Sequence, residues 1–269
     1  MEYLKQIISE IECNYLKMQN CDAVNTIDWI DSIQNFRHRE KNPTLFVFLK
    51  GIRCVSLLNA SLVLLEKGFL QEMGIFFRCL DESIEDICLF IPDLVAKNDC
   101  TKTIQKEMLE DFYQEEFEDI SVPLLKNNKR NTIRRKNVRA TNARNLYNPI
   151  DVYNHAQINQ TIYNMNSGYI HGAYPHIMEL YNSCICPNYN TSGITHSLRI
   201  QENKHELLRH VYSLTLVAKN IAIILDNPYL SEEFSNTQKN IEDTEPQFKA
   251  NNTETFKSLG IIKNDASSS

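Results

Sequence analysis

The stretch PTLFVFLKGIRCVSLLNASLVLLEKG, residues 43–68, constrains the fold more than any other. Its apolar residues cover nearly the whole circumference of a helix, and such a helix is buried, either inside a bundle or inside a bilayer. Lys50, Arg53 and Asn59 decide between the two. An ionised side chain at the centre of a bilayer costs about 2.5–3.5 kcal/mol or more, so the segment reads as the central helix of a soluble bundle, with no membrane association. Pro43 suits its first turn and Gly68 its C-terminal stop. Lys50, Arg53 and Ser56 recur every three residues and mark one polar face.

The same helical period continues along the chain. Leu4, Ile7, Ile8, Ile11 and Tyr15 form a one-sided stripe over residues 2–18, and a weaker segment surrounds Trp29 and Ile33 over 22–36. A second long helix, about 69–90 and ended by Pro92, should turn back antiparallel to the first. Residues 102–118 read as an acidic surface helix, 126–145 as a basic loop or insertion, and 150–173 and 200–226 as further core helices. Leu207, Leu208, Val211, Leu214, Ala218, Ile221 and Leu225 carry the last of these. Only 7 Gly and 8 Pro in 269 residues argue against a loop-rich β architecture, and no strand pair stands out. The expected fold is all-α: one helical-bundle domain, 1–230, with four core helices near 44–67, 69–90, 150–173 and 200–226, extra N-terminal and surface helices, and a disordered tail over 231–269, where the composition turns polar and aperiodic.

A net charge of −6 argues against a generic binder of nucleic acid or anionic membranes. Eight cysteines with no secretory leader in front of them point to reduced thiols and a cytoplasmic location.

Two segments concentrate chemistry. In RCLDESIEDI, residues 78–87, Arg78, Glu82 and Glu85 oppose the apolar face of Phe76, Phe77, Leu80, Ile84 and Ile87. A charged stripe on so apolar a helix is either a paired structural network or the wall of a functional pocket. In NSGYIHGAY, residues 166–174, Gly168 and Gly172 flank His171 at one-turn spacing. Two helical glycines cost about 1 kcal/mol each, which close approach of a neighbouring helix would offset. His171 is thus expected at a tight crossing, and Arg78, Glu82 and His171 are expected to meet in one inter-helix pocket.

Together, the Arg-x-x-x-Glu of 78–82 and the Ser-x-Tyr-x-His of 167–171 resemble poorly characterised bacterial helical proteins similar to the HEPN (higher eukaryotes and prokaryotes nucleotide-binding) superfamily, over roughly 44–226. The resemblance implies a metal-independent ribonuclease or toxin, as in phage defence. There a histidine acts as general acid or base on the ribose and an arginine stabilises charge on the phosphate. The hallmark of that family, Arg then His after four to six residues, has one literal match, Arg199 and His205, with Ile200 where a polar residue usually follows the Arg. Catalysis would fall to His171 with Arg78 and Glu82, or to the alternative pair Arg199 and His205.

The basic segment offers Lys129, Arg130, Arg134, Arg135 and Arg139, without an intervening acid, as phosphate contacts for RNA; the acidic helix just before it is the competing partner. His176, Cys184, Cys186 and His196 are zinc-ligand types, but Cys-x-Cys lacks zinc-finger spacing, so no metal is expected. No cofactor motif is present. The expected partner is a protein or ligand held in the polar pocket, with RNA at the basic segment and a second copy of the chain as further candidates.

Overall fold

A computed structural model of the chain describes residues 1–25, 27–29, 36–114, 133–146, 160–161, 163–164, 166–182 and 188–248. It is an all-α bundle. Helix α1, Glu2–Met18, buries the expected stripe of Leu4, Ile7, Ile8, Ile11 and Tyr15, together with Met18. Helix α2, Pro43–Lys67, starts where Asn42 accepts a hydrogen bond from the Leu45 amide at 2.8 Å and Pro43 fills the first turn. It ends at Gly68, whose φ of 74° lies in the left-handed region. A side chain at Gly68 would also strike the backbone of Ile194. Helix α3, Leu70–Cys88, folds straight back along α2.

After the short α4, Ile91–Val95, helix α5, Thr103–Tyr113, lays Phe112 against Phe46 of α2, with ring centroids 4.8 Å apart. Pro92 therefore opens α4 instead of ending α3, which stops at Cys88. Helix α6, Arg135–Leu146, packs on α3. Helical residues at 160–161, 163–164 and 166–170 form α7, and α8 is Tyr174–Met178. Helix α9, Arg199–Ile224, runs through the middle of the bundle against α2, α3 and α10. Its Leu207, Leu208, Val211, Leu214, Ala218 and Ile221 are buried as the periodicity requires.

Two expectations change. The segment around Trp29 is not helical: strand β1, Ile27–Trp29, pairs antiparallel with β2, Phe36–His38, and a second short pair joins β3, Tyr181–Asn182, to β4, Asn188–Tyr189. Nor does the ordered chain end at 230. Helix α10, Pro228–Thr244, buries Leu230, Phe234 and Ile241 against α1 and α9, with Phe234 edge-on to Tyr15. Its apolar stripe is narrow, so composition hides it. Its opening repeats that of α2, with Asn227 capping the Leu230 amide ahead of Pro228. The tail over 249–269 lies outside the described residues.

The core therefore rests on α1, α2, α3, α9 and α10. The expected core helix at 150–173 is described only at 160–161, 163–164 and 166–173, and none of these residues is buried; Ile158, Ile162 and Met165 of its expected core stripe lie outside the described residues. Helices α2 and α9 are each long and apolar enough to cross a membrane, with mean hydropathy of 1.6 and 1.3 over their best windows. In the bundle they pack on each other and bury polar groups, among them Ser61, His210 and Thr215.

Candidate functional site

The site grows from one face of α3. Arg78, Asp81, Glu82, Glu85 and Asp86 recur at helical spacing, so all five side chains leave the same side, opposite Met73, Phe77 and Leu80. That face is covered by α6, α7 and α9, and buried carboxylates must find cations there.

At its C-terminal end Asp86 is 2% exposed. Lys50 of α2 reaches one carboxylate oxygen at 2.8 Å, and Arg135 of α6 grips both, at 2.5 and 3.1 Å. Lys50 also lies over the Phe46 and Phe112 rings. One residue earlier on α3, Arg139 donates through Nε to Glu85 Oε1 at 2.8 Å, and Asn142 donates to the Glu85 carbonyl at 2.8 Å. Burial pushes the Glu85 carboxyl up; Arg139 and Arg135 oppose the shift without cancelling it.

At the N-terminal end Arg78 donates to Glu82 at 3.0 Å and to the Tyr163 hydroxyl. The guanidiniums of Arg78 and Arg139 both sit over the Tyr163 ring, 4.1 and 3.9 Å from its centroid. Between these ends Asp81 receives Arg209 and His210 of α9, each at 3.0 Å. Burial acts to raise the Asp81 carboxyl, but the hydrogen bonds and charges of His210 and Arg209 together hold it below its usual value.

His210 is fully buried, its ring parallel to Phe77 with centroids 4.8 Å apart. Nδ1 faces the Glu206 carbonyl at 2.9 Å, a contact in which the ring nitrogen donates. Nε2 lies 3.0 Å from both Asp81 and Arg209. Both nitrogens are thus engaged within the protein, and His210 organises the network instead of meeting a substrate.

These side chains border a partly open cavity of about 120 Å³ lined by Arg78, Asp81, Glu85, Arg139, Tyr163 and Arg209, with Ser213 of α9 also on its wall. Two buried polar atoms of its lining residues have no hydrogen-bond partner among the described residues: Arg78 Nη1, a donor, and Glu85 Oε2, an acceptor.

Sequence reasoning placed Arg78 and Glu82 together, and they are. It placed His171 with them, and that is corrected. His171 lies exposed in the turn after α7, where Gly172 takes a φ of 58°, and it does not line the cavity. The close approach that the glycines were expected to permit belongs to His176. Its ring sits where a Gly168 side chain would be and meets Tyr169 edge-on at 4.3 Å.

The alternative pair is not assembled either. Arg199 is ion-paired to Glu179, which also accepts from Tyr169 at 3.2 Å, while His205 stacks on Phe248 at 5.7 Å. The basic segment is corrected as well. Arg135 and Arg139 stand on a helix, not a loop, and turn inward to Asp86 and Glu85 of α3. Arg134 is exposed, and Lys129 and Arg130 lie outside the described residues.

Of the zinc-type residues, Cys184 and Cys186 also lie outside the described residues and His196 is exposed. Among the described residues no three His, Cys, Asp or Glu side chains are grouped to hold a metal. Sequence reasoning missed Asp81, Asp86, Arg209 and His210. The signal for the last two was an Arg-His pair falling within the apolar stripe of α9.

No family model matches the chain, and no curated protein or solved structure shows significant similarity to it.

Proposed function

We propose that this chain is a binding protein whose cavity between α3, α6, α7 and α9 takes a small polar ligand, and that the charged network around the cavity holds its walls in place. The observation that carries this reading is the lining of the cavity: three guanidiniums, Arg78, Arg139 and Arg209, and two carboxylates, Asp81 and Glu85, come together there with the Tyr163 ring. Each of these carboxylates has a cation within 3.0 Å, so the walls are held in place, and a lining of matched charges suits a small polar ligand.

Catalysis by an Arg–His pair, the activity implied by the resemblance to HEPN-type ribonucleases, has less support. It needs both side chains to converge on one phosphate, whereas Arg199 and His205 engage Glu179 and Phe248. The buried His210 has no nitrogen to offer.

The test is thermal melting with the dialysable small-molecule fraction of a cell extract, followed by mass spectrometry of what the protein retains. Ser213→Leu fills the cavity and breaks none of the network's ion pairs. The expected result is a raised melting temperature for the natural chain, lost in Ser213→Leu. No stabilisation and no retained molecule would overturn the reading.

A further inference from the structure

Helix α6 is attached to the bundle mainly by charge. Over residues 135–143 its buried side chains are Val138, Arg139, Asn142 and Ala143, so half of them are polar. Helix α10, by contrast, buries Leu230, Phe234 and Ile241. The other contacts of α6 are Arg135 with Asp86 and Glu82, Arg139 with Glu85, and Asn142 with the Glu85 carbonyl. In a buried ion pair the attraction is largely offset by the loss of hydration. Glu85 illustrates this: burial pushes its carboxyl up, and Arg139 does not cancel the shift. The ion pairs thus fix where α6 sits more than how firmly it sits. A helix of 12 residues is also marginal in water by itself. What holds it down is one valine and one alanine, with the partly buried Ile133 just ahead of them.

Arg139 makes this weakly held helix a wall of the cavity. Its guanidinium joins α3 to α7. It donates to Glu85 of α3 at 2.8 Å and to Gln160 of α7 at 3.3 Å, and it lies over the Tyr163 ring. Outward movement of α6 withdraws that side chain and opens Glu85 and one contact of Tyr163 to water.

We propose that α6 is a movable cover of the cavity: it leaves the face of α3 as a unit while α1, α2, α3, α9 and α10 stay folded, and a ligand in the cavity holds it down. The second half rests on the binding reading above; the first half does not. Moving elements beside binding sites are drawn from the parts of a fold that open at low cost. Release separates the cations of α6 from the acids of α3, so salt, which screens their attraction, favours the open form.

Hydrogen exchange of the full chain, read by mass spectrometry of its peptides, tests both halves. The amides of 135–146 are expected to open at least about a hundredfold more often than those of 207–221 in α9. Raising sodium chloride from about 0.1 M to about 1 M should open them about threefold more often still, relative to α9. Glu85→Gln leaves Arg139 without its counter-charge and should speed exchange in α6 by about tenfold or more. Glu85→Leu combined with Arg139→Leu replaces the ion pair by an apolar one and should slow it by about tenfold. If that double variant does not fold, the natural chain and Glu85→Gln decide the matter. The dialysable fraction of a cell extract should slow exchange in α6 and leave α10 unchanged.

Exchange of 135–146 no faster than that of 207–221 means that α6 leaves only when the whole chain unfolds, and overturns the proposal. Exchange in α6 that the substitutions at Glu85 and Arg139 leave unmoved overturns it as well. An extract fraction that raises the melting temperature without slowing exchange in α6 overturns the role as a cover and leaves the binding reading standing. A fraction that does neither overturns the binding reading and the ligand's hold on α6, while the release of α6 stands or falls on its own exchange.

Discussion

Asp86→Ala should be among the most destabilising single changes on the polar face of α3, and its size follows from the contacts. Asp86 is 2% exposed and is the shared counter-charge of Lys50 and Arg135, whose side chains are 22% and 25% exposed. Removing it leaves two mostly buried cations facing a small apolar void. Breaking a buried ion pair from one side costs about 3–5 kcal/mol. Here the low end applies, because each cation keeps something: Lys50 retains the faces of Phe46 and Phe112, and Arg135 retains Glu82 at 3.7 Å.

About 3 kcal/mol is a large share of the 5–15 kcal/mol by which domains are stable. The assay is urea denaturation at neutral pH, with Lys97→Ala as the internal control. Lys97 and Asp226 are paired at 3.4 Å but are 79% and 77% exposed, so losing that pair should cost no more than about 0.5 kcal/mol. The double variant Asp86→Ala/Arg135→Ala should lose less than the sum of its singles by about 1 kcal/mol or more, as coupled partners do. An Asp86→Ala midpoint indistinguishable from that of Lys97→Ala, with unchanged denaturant dependence, would refute the reasoning. The α3 face would then be a solvated charge stripe.

Two further expectations test the core and the acid response. Phe234→Ala empties a fully buried site against Tyr15 and should cost about 3–5 kcal/mol in the same urea assay; a change under about 1 kcal/mol would mean that α10 does not belong to the core. Asp81, whose carboxyl is held below its usual value of 3.8 by His210 and Arg209 against the pull of burial, contributes stability that is present above that value and lost as pH falls through the lower folded value. Unfolding free energy followed from about pH 6 to pH 3 should therefore drop more steeply in the natural chain than in Asp81→Asn; parallel curves would remove Asp81 from the network.

How far the site was legible varies residue by residue. The pairing of Arg78 with Glu82 was readable because it is local, one helical turn on a single element. The stripe that contains them was also readable, but its most buried member, Asp86, looked like any other helical acid. Nothing in a sequence window reports that Lys50, thirty-six positions earlier, and Arg135, forty-nine later, close on it. His171 drew attention through its glycines, and the glycines do mark a close approach. The ring that uses Gly168 belongs to His176, because the chain turns at Gly172 and brings α8 back over α7. Helix α10 was hidden for a different reason: three buried large apolar residues in seventeen make a weak period, and only the Asn-Pro opening that it shares with α2 announced it.

The sequence by itself determined α1, α2, α3 and α9 and the apolar positions of each, since 3.6-residue periodicity, capping residues and breakers act over a few neighbouring positions. That was enough for an all-α bundle, for α2 and α9 as core helices and for α3 as the bearer of charge. Tertiary structure alone decided which charges meet. Arg135 and Arg139, the core of a basic segment with no acid in it, could have faced solvent and phosphate. They face inward because α6 packs against the acidic stripe of α3, where burial makes an unpaired carboxylate costlier than a lost contact with water. The cavity exists only where four helices come together, and no local rule places it.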